Sequence, residues 1–259
     1  MHLNYELEGI EAVFMDLDGT LYLGNNRIEG VNEFLTRLTN KGIKKYYLSN
    51  NSSRSKKDYI GKLASFGINA TKSEILLSTD DLLGWLGNNN YSNTYTIGTE
   101  SMCEMLEENG INTKSEDPEI IVLGYDTEIN YDKLTKSSIF LHKGIPLVAS
   151  HPDTVCPSPD GGLPDVGAYL ALLEATTGVK PMHICGKPNP GMLNHKIKEL
   201  GLEARQVAMI GDRLYTDMEM ANRVGCLSVL VLSGEATEED ANNAPQEIDV
   251  MVNSVADLL

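Results

Sequence analysis

The stretch EAVFMDLDGTLY, residues 11–22, joins an apolar run directly to a pair of carboxylates. The run Ala12–Met15 is typical of a buried strand, and Asp16 and Asp18 follow it with one leucine between them. Ionised carboxylates are almost never buried without a partner, because their charge is costly to remove from water. A strand that ends in two acids therefore predicts a site at which another group offsets their charge.

Apolar runs of strand length alternate with amphipathic segments along nearly the whole chain. Runs such as QVAMIG and CLSVLVL are typical of buried strands, whereas Val31–Thr39, Lys56–Phe66 and Pro190–Leu200 show helical spacing of apolar residues. This alternation predicts an α/β fold with parallel strands.

A change in composition near Ser78 indicates an inserted domain. The middle of the chain carries the polar patch GNNNYSN and the Pro/Gly-rich loop HPDTVCPSPDGGLPD, but no acid cluster at a strand end. The flanking segments carry all of the chemically suggestive strand ends. We therefore predict a core domain formed by residues 1–78 and 181–259, which is catalytic, and a smaller inserted α/β domain over residues 79–180, which selects the substrate.

Composition and charge exclude several classes of function. The chain has 259 residues with 37 acidic and 21 basic side chains, a net charge of −16, so it would repel nucleic acid. The N-terminus lacks the pattern of a secretory signal, and no apolar run approaches the roughly 20 residues of a membrane span. We expect a cytoplasmic protein with no membrane partner. Its four cysteines form no metal-binding pattern and should be reduced: Cys103, Cys156, Cys185 and Cys226.

Polar residues follow four of the predicted core strands. They are Asp16 and Asp18; Ser49 and Asn50 after Ile43–Leu48; Lys187 after the run MHIC; and Asp212, with Asp217 just beyond, after the run VAMI. Ligands of open α/β sheets bind beyond the carboxyl ends of the strands. These residues are therefore expected to meet at one edge of the sheet.

Each of these strand ends also has an ordinary interpretation. An EF-hand calcium loop that starts at Asp16 would need glycine at its sixth position and glutamate at its twelfth. This chain has Leu21 and Arg27 there, so that alternative fails. Residues 49–52 alone fit a helix N-cap, and Lys187 alone fits a solvated surface lysine. Asp212 alone fits a turn, and Asp217 fits the start of a helix. Their joint occurrence at neighbouring strand ends is what these interpretations do not predict.

Together the residues are suited to phosphoryl transfer. Asp16, Asp18 and Asp212 form an oxygen-rich anionic set, which favours Mg²⁺ when a substrate phosphate completes the coordination shell. Lys187 adds a second positive charge, and Ser49 and Asn50 offer neutral donors for phosphate oxygens. In such sites, positioning and charge stabilisation supply most of the catalysis.

The motifs DLDGT, LSNN, GKPNP and GDRLYTD, in this order, resemble those of the haloacid dehalogenase (HAD) superfamily of aspartate-nucleophile phosphatases. The stretches VLGYDTEINYDKL, HPDTVCPSPDGGLPDVGA and TGVKPMHICGKPNPGML further resemble its NagD / 4-nitrophenylphosphatase subfamily. That subfamily carries a large α/β cap of the C2 type between its second and third motifs. The resemblance implies a Rossmann-like parallel-sheet core with a smaller inserted cap, and it leaves homo-oligomer formation open.

The resemblance also implies catalytic roles. Asp16 corresponds to the nucleophile that forms an aspartyl-phosphate, and Asp18 to the acid that protonates the leaving alcohol and then activates water. Lys187 corresponds to the lysine that neutralises nucleophile and phosphate, and Asp217 to the acid that orients this lysine or a metal-bound water. An acid at position 18 is needed only when a leaving oxygen takes a proton, which disfavours dehalogenation.

The binding residues follow from the same resemblance. Ser49 and Asn50 match the phosphate-binding second motif, and Lys187 is expected to contact the substrate phosphate as well. The implied cofactor is Mg²⁺, held by Asp212, by the Asp16 carboxylate and by the main-chain carbonyl of Asp18.

One loop departs from the subfamily. Relatives commonly have asparagine where this chain has His151, before Pro152 and Asp153. We expect this loop to hang over the active site, so that His151 and Asp153 contribute to substrate binding. A solvent-facing loop histidine is the alternative.

The expected function is that of a Mg²⁺-dependent phosphatase for a small phosphorylated metabolite. The resemblance implies nucleotide monophosphates, sugar phosphates, phosphoglycolate and aryl phosphates such as 4-nitrophenyl phosphate as substrate classes. Two alternatives stay open: a phosphomutase, and a regulatory protein that binds a phospho-ligand or is phosphorylated on Asp16 without turnover.

Overall fold

A computed structural model describes residues 7–158 and 160–258. The first six residues, which include His2 and the start of the segment considered above for a secretory signal, lie outside this description. The strands are β1 (Ala12–Met15), β2 (Tyr22–Leu23), β3 (Asn26–Arg27), β4 (Lys44–Ser49), β5 (Ile75–Leu77), β6 (Thr94–Ile97), β7 (Ile120–Leu123), β8 (Leu147–Ala149), β9 (Val155–Cys156), β10 (Leu163–Pro164), β11 (His183–Ile184), β12 (Val207–Gly211), β13 (Leu227–Val231) and β14 (Val250–Val252). The α-helices are α1 (Val31–Asn40), α2 (Lys56–Ser65), α3 (Ser78–Asn88), α4 (Glu100–Glu107), α5 (Tyr131–His142), α6 (Val166–Thr177), α7 (Gly191–Leu200), α8 (Glu219–Val224) and α9 (Glu238–Asn243).

Strand β1 lies inside a six-stranded sheet of order β14-β13-β12-β1-β4-β5. It pairs in parallel with β12 on one side and β4 on the other. All four residues of Ala12–Met15 are buried, as expected for a strand that is covered on both faces. The α/β fold class predicted from the alternating pattern is thereby confirmed.

Helices α7 and α8 cover part of this sheet. Phe14 and Tyr46, from neighbouring strands, stack with their ring centroids 5.1 Å apart. They share an apolar cluster with Met192 and Leu193 of α7 and with Met220 of α8. This packing holds the buried strands in place, and with them the polar residues that follow at their carboxyl ends.

A second sheet is formed by the strands in the middle of the chain. Its order is β11-β8-β7-β6, and all of its neighbouring pairs are parallel. Two apolar clusters lie within this part of the protein, one containing Phe140 and Leu173 and the other Leu86 and Leu106. The short antiparallel pair β9–β10 lies in the Pro/Gly-rich loop.

The chain separates into two compact units, whose boundaries differ from the predicted ones. The core unit contains residues 1–49, 59–76 and 187–259, and the insert unit contains residues 50–58 and 77–186. The predicted insert, 79–180, thus gains a few residues at each end and also the segment after β4. The different roles predicted for the two units, catalysis and substrate selection, stay predictions.

Strand β11 differs from the sequence interpretation. The run MHIC was expected to be a core strand that leads to Lys187, but His183 and Ile184 pair with Val148 and Ala149 of the insert sheet. A short apolar run satisfies its backbone equally well in either sheet, so the sequence does not distinguish them. Lys187 is instead the first residue of the core unit after the insert.

None of the helices within residues 7–158 and 160–258 has both the length and the apolar character needed to cross a membrane.

Candidate active site

Asp16 and Asp212 follow neighbouring parallel strands. The register pairs Met15 of β1 with Ile210 of β12, and the Asp16 N–H donates to the Ile210 carbonyl at 2.9 Å. Both carboxylates are buried. The two acids therefore lie at one edge of the core sheet, where ligands of such sheets bind.

Lys187 joins two of the acids. Its Nζ donates to Asp16 Oδ1 and, at 2.7 Å, to Asp217 Oδ1, and the lysine is only 4% exposed. Burial opposes the charged form, but the two carboxylates prevail and raise the pKa of Lys187. The ammonium therefore stays charged and holds the Asp16 carboxylate in a fixed orientation. The alternative of a solvated surface lysine is wrong.

Asp217 lies in a π-helical stretch, Leu214–Met218, that precedes α8. Such stretches often occur at functional sites, because the wider turn redirects side chains. The Oδ2 atom of Asp217 accepts the Arg213 N–H at 3.2 Å, while Oδ1 accepts Lys187. Burial raises the pKa of Asp217 to about 6, although Lys187 opposes the shift.

Three carboxylates crowd one another at this edge. Asp16, Asp212 and Asp217 each offer an oxygen atom within 4.8 Å of the other two. Burial and the charges of its two neighbours raise the pKa of Asp212 to about 8. Among the residues that the structure describes, none donates a hydrogen bond to Asp212 Oδ1, which is buried. An unsatisfied buried oxygen within an anionic cluster fits a hard divalent cation such as Mg²⁺.

The turn after Asp16 brings the main chain close to Asp212. The N–H groups of Leu21 and Tyr22 approach the Leu17 carbonyl, and Gly19 has φ +90°. A Cβ atom on Gly19 would lie 2.1 Å from Asp212 Oδ2. Only glycine fits this turn, which explains the Gly19 of the DLDGT motif.

Asp18 differs from the other acids because its side chain is exposed. Partial desolvation by its surroundings raises the pKa of Asp18, while the Gly24 N–H, 3.4 Å from Oδ1, lowers it. A carboxyl group that reaches solvent and binds its proton more tightly than usual is suited to proton transfer. The predicted metal ligation by its main-chain carbonyl stays a prediction.

Ser49 and Asn50 fall on either side of the boundary between the units. Ser49 Oγ lies 2.9 Å from the Tyr59 hydroxyl in the core unit. In the insert unit, Asn50 Nδ2 donates to Asp153 Oδ2 at 3.1 Å. The N-cap alternative is wrong, because Ser55 and Asp58 exchange hydrogen bonds as a capping box at the start of α2.

His151 is fully buried, so the alternative of a solvent-facing histidine is wrong. Its Nδ1 lies 2.9 Å from Ser150 Oγ, and its Nε2 lies 2.9 Å from Asp165 Oδ1. Ser150 Oγ in turn lies 3.0 Å from Ser52 Oγ. With both ring nitrogens engaged, His151 holds the two ends of its loop together. Its influence on a substrate would therefore be indirect.

The sequence interpretation missed the turn after β13. The Glu235 N–H donates to Asp212 Oδ2 at 2.8 Å, and Glu235 Oε2 lies 3.0 Å from Arg213 Nε. Ser233 Oγ donates to the Gly19 carbonyl at 2.7 Å. The available signal was the apolar run CLSVLVL followed by a serine and a glycine, a fifth strand end beside the four that were considered.

The α/β core and the acid cluster at its strand ends place the chain in a known class of hydrolases. A family model described as "Haloacid dehalogenase-like hydrolase" matches residues 13–112, and a HAD-hydrolase-like model matches residues 184–258. The acid sugar phosphatase of Staphylococcus aureus (strain MRSA252) is 31% identical over 235 residues, 90% of each chain. The chain belongs to the haloacid dehalogenase-like hydrolase family, as its motifs predicted.

Solved structures support the finer resemblance. A 4-nitrophenylphosphatase from Thermotoga maritima is 34% identical with a TM-score of 0.92, over 99% of this chain and 97% of that one. A glycerol phosphate phosphatase from Mycobacterium tuberculosis, solved in complex with magnesium, is 25% identical with a TM-score of 0.90, over 96% of this chain and 76% of that one. The predicted similarity to the NagD / 4-nitrophenylphosphatase group is confirmed.

Proposed function

We propose that this protein is a magnesium-dependent phosphatase that hydrolyses small phosphate monoesters through an aspartyl-phosphate on Asp16. Hydrolysis of phosphate monoesters as a class is supported by membership of the family and by the activities for which its relatives are named. Sugar phosphates, nucleotide monophosphates, phosphoglycolate and aryl phosphates are the substrates to test.

The observation that carries the proposal is Lys187 between Asp16 and Asp217. A buried carboxylate held by a charged lysine is oriented for attack, and the same ammonium reduces its repulsion of an anionic phosphate. Asp217 fixes the lysine from the other side. Ser49 and Asn50 are proposed to bind the phosphate oxygens.

Two displacements follow. An oxygen of Asp16 bonds to phosphorus while the bond from phosphorus to the ester oxygen breaks, and Asp18 gives its proton to the leaving alkoxide. Asp18, now ionised, then takes a proton from water as the water oxygen attacks phosphorus. The bond between Asp16 and phosphorus breaks, which releases inorganic phosphate and restores the Asp16 carboxylate, with Asp18 protonated as at the start.

The carboxylates of Asp16 and Asp212 and the main-chain carbonyl of Asp18 would hold Mg²⁺. When bound, this ion supplies positive charge that lowers the electrostatic barrier between nucleophile and phosphate. The crowding of three acids and the unsatisfied Asp212 Oδ1 support this assignment.

The test is a steady-state screen of phosphate esters with Mg²⁺, combined with mass spectrometry of acid-quenched enzyme. We expect release of phosphate from a single monoester, and a phosphoryl adduct on Asp16. Asp16→Asn should lose both, because an amide does not attack phosphorus. Asp132→Asn, an exposed acid on α5, is the matched control and should keep both.

Three outcomes would contradict the proposal. Asp16→Asn with even a tenth of the wild-type rate would exclude the covalent mechanism. Transfer of the phosphoryl group to a second substrate hydroxyl, without release, would indicate a mutase. A stable adduct on Asp16 without turnover would indicate a regulatory protein.

A further inference from the structure

The turn at residues 233–235, which follows β13, encloses one oxygen of Asp212. The Glu235 N–H donates to Asp212 Oδ2 at 2.8 Å, and the Ala236 N–H donates to the Asp212 main-chain carbonyl at 3.1 Å. Asp212 is therefore fixed through both its side chain and its main chain. The other carboxylate oxygen, Oδ1, is buried and has no hydrogen-bond donor among the described residues.

Gly234 permits this close approach. A Cβ atom on Gly234 would lie 2.0 Å from Asp212 Oδ2 and 2.5 Å from its Cγ, far inside van der Waals contact. Gly234 is not among the glycines with a positive φ angle. Position 234 therefore needs glycine because Asp212 occupies the space that a side chain would take, and not because the backbone conformation is unusual.

Two side-chain contacts hold the turn against the site. Ser233 Oγ donates to the carbonyl of Gly19, which itself packs against Asp212. Glu235 forms an ion pair with Arg213, the residue after Asp212. The turn is thus attached both to the loop after β1 and to the loop after β12.

We propose that Ser233, Gly234 and Glu235 are positioning residues for the cation of this site. By donating to Asp212 Oδ2 and blocking rotation of the carboxylate, they leave Oδ1 as the oxygen that binds the metal. The inference rests on the proposed cation site, but it concerns cation affinity and can be tested without any substrate. Residues that orient a metal ligand typically contribute about tenfold to a hundredfold to affinity when they are removed.

The main experiment compares Gly234→Ala with Gly61→Ala by isothermal titration of the metal-free enzyme with Mg²⁺. Gly61 lies in α2 with open space around its Cβ position, so it controls for the added methyl group. We expect Gly234→Ala to weaken Mg²⁺ binding by about tenfold or more, and Gly61→Ala to leave it within about twofold. Equal affinities in the two variants would overturn the proposal.

A second measurement identifies the atom through which Gly234 acts. The added methyl meets the Asp212 side chain, so Gly234→Ala should lower the thermal unfolding midpoint of the wild type but not that of Asp212→Gly. An equal loss in both backgrounds would show that the methyl clashes elsewhere and would refute the contact.

Ser233→Ala is a milder variant for the case in which Gly234→Ala does not fold. It removes only the donor to the Gly19 carbonyl and should weaken Mg²⁺ binding about threefold, the equivalent of roughly 0.7 kcal/mol. Unchanged Mg²⁺ affinity in Ser233→Ala would then reject the proposal. Intact Mg²⁺ binding without phosphate release from any ester would instead reject the proposed function and leave this inference standing.

Discussion

At the scale of single residues, Asp18 differs from Asp16, Asp212 and Asp217 because its side chain reaches solvent, and its pKa is nevertheless raised. Replacing it with asparagine removes the proton but preserves the shape of the side chain. We expect Asp18→Asn to lower kcat by about 10² to 10⁴ for alkyl phosphates. The loss should be much smaller for the first step with 4-nitrophenyl phosphate, because nitrophenolate leaves without a proton.

The measurement is a burst-phase assay with both substrate types. An equal loss for alkyl and nitrophenyl esters in the phosphorylation step would contradict the assignment of Asp18 as the acid.

Lys187 is the other residue whose removal has a definite consequence. Lys187→Ala would leave Asp16 and Asp217 buried without their cation, and breaking such a pair typically costs about 3–5 kcal/mol. Because Asp217 is fully buried, the loss should appear as a lower urea midpoint as well as loss of turnover. Lys180→Ala, whose side chain is largely exposed and pairs with Glu174, is the control and should change neither quantity. A stable, inactive Lys187→Ala would show that the lysine serves chemistry alone.

At the scale of elements, the loop between β8 and α6 contacts the segment after β4. Asp153 accepts a hydrogen bond from Asn50, and His151 contacts Ser150, whose hydroxyl lies 3.0 Å from that of Ser52. We predict that His151→Asn and Asp153→Ala change the ranking of substrates, chiefly through kcat/KM. The first variant loses the contact with Asp165, and the second releases the Asn50 amide from its acceptor. Both should retain the Mg²⁺ requirement and the adduct on Asp16.

A panel of phosphate esters assayed on wild type and both variants makes the comparison. Asp160→Ala, an exposed position in the same loop, is the control. His151→Asn should also cost about 1–3 kcal/mol of stability, because Asp165 loses a buried donor. An identical rank order in all the variants would show that this loop does not affect substrate choice.

The pattern of apolar runs predicted where the strands lie in the sequence better than it predicted which sheet each strand joins. Apolar runs located β1, β12 and β13, because a strand buried on both faces needs a continuous apolar sequence. The same runs do not specify which sheet they join, which is why β11 was wrongly placed in the core.

The acids of the site could be predicted, but the groups that orient them could not. Asp16, Lys187 and Asp212 are recognisable because their chemistry depends on residue type. Asp212 is oriented by the N–H of Glu235, a group that almost every residue carries, and by the absence of a side chain at Gly234. Neither leaves a distinctive sequence pattern, and the burial of His151 depends on how its own loop folds around Ser150 and Asp165.

For the whole molecule, the acid cluster predicts that a divalent cation is needed for activity and adds to the stability of the folded protein. Chelation should abolish turnover, and Mg²⁺ should restore it. Ca²⁺ should bind but support little turnover, because its bonds are longer and its coordination number is higher. A ligand at about 100 times its Kd stabilises the folded state by about 2.7 kcal/mol, so Mg²⁺ should raise the unfolding midpoint.

Asp212→Ala should weaken this stabilisation strongly, whereas Asp132→Asn should preserve it. Full activity in the presence of chelator, or a midpoint that is indifferent to Mg²⁺, would refute the cation site.

The position of β1 between β4 and β12 has a consequence for co-translational folding on the ribosome. Ala12 emerges early, but its partner Val207 is translated only after the whole insert. The insert sheet uses strands from Thr94 to Ile184 and can therefore assemble first. Until β12 leaves the exit tunnel, the edge of β1 that pairs with it has no native partner. During this interval the nascent chain should depend on chaperones that shield exposed apolar strands.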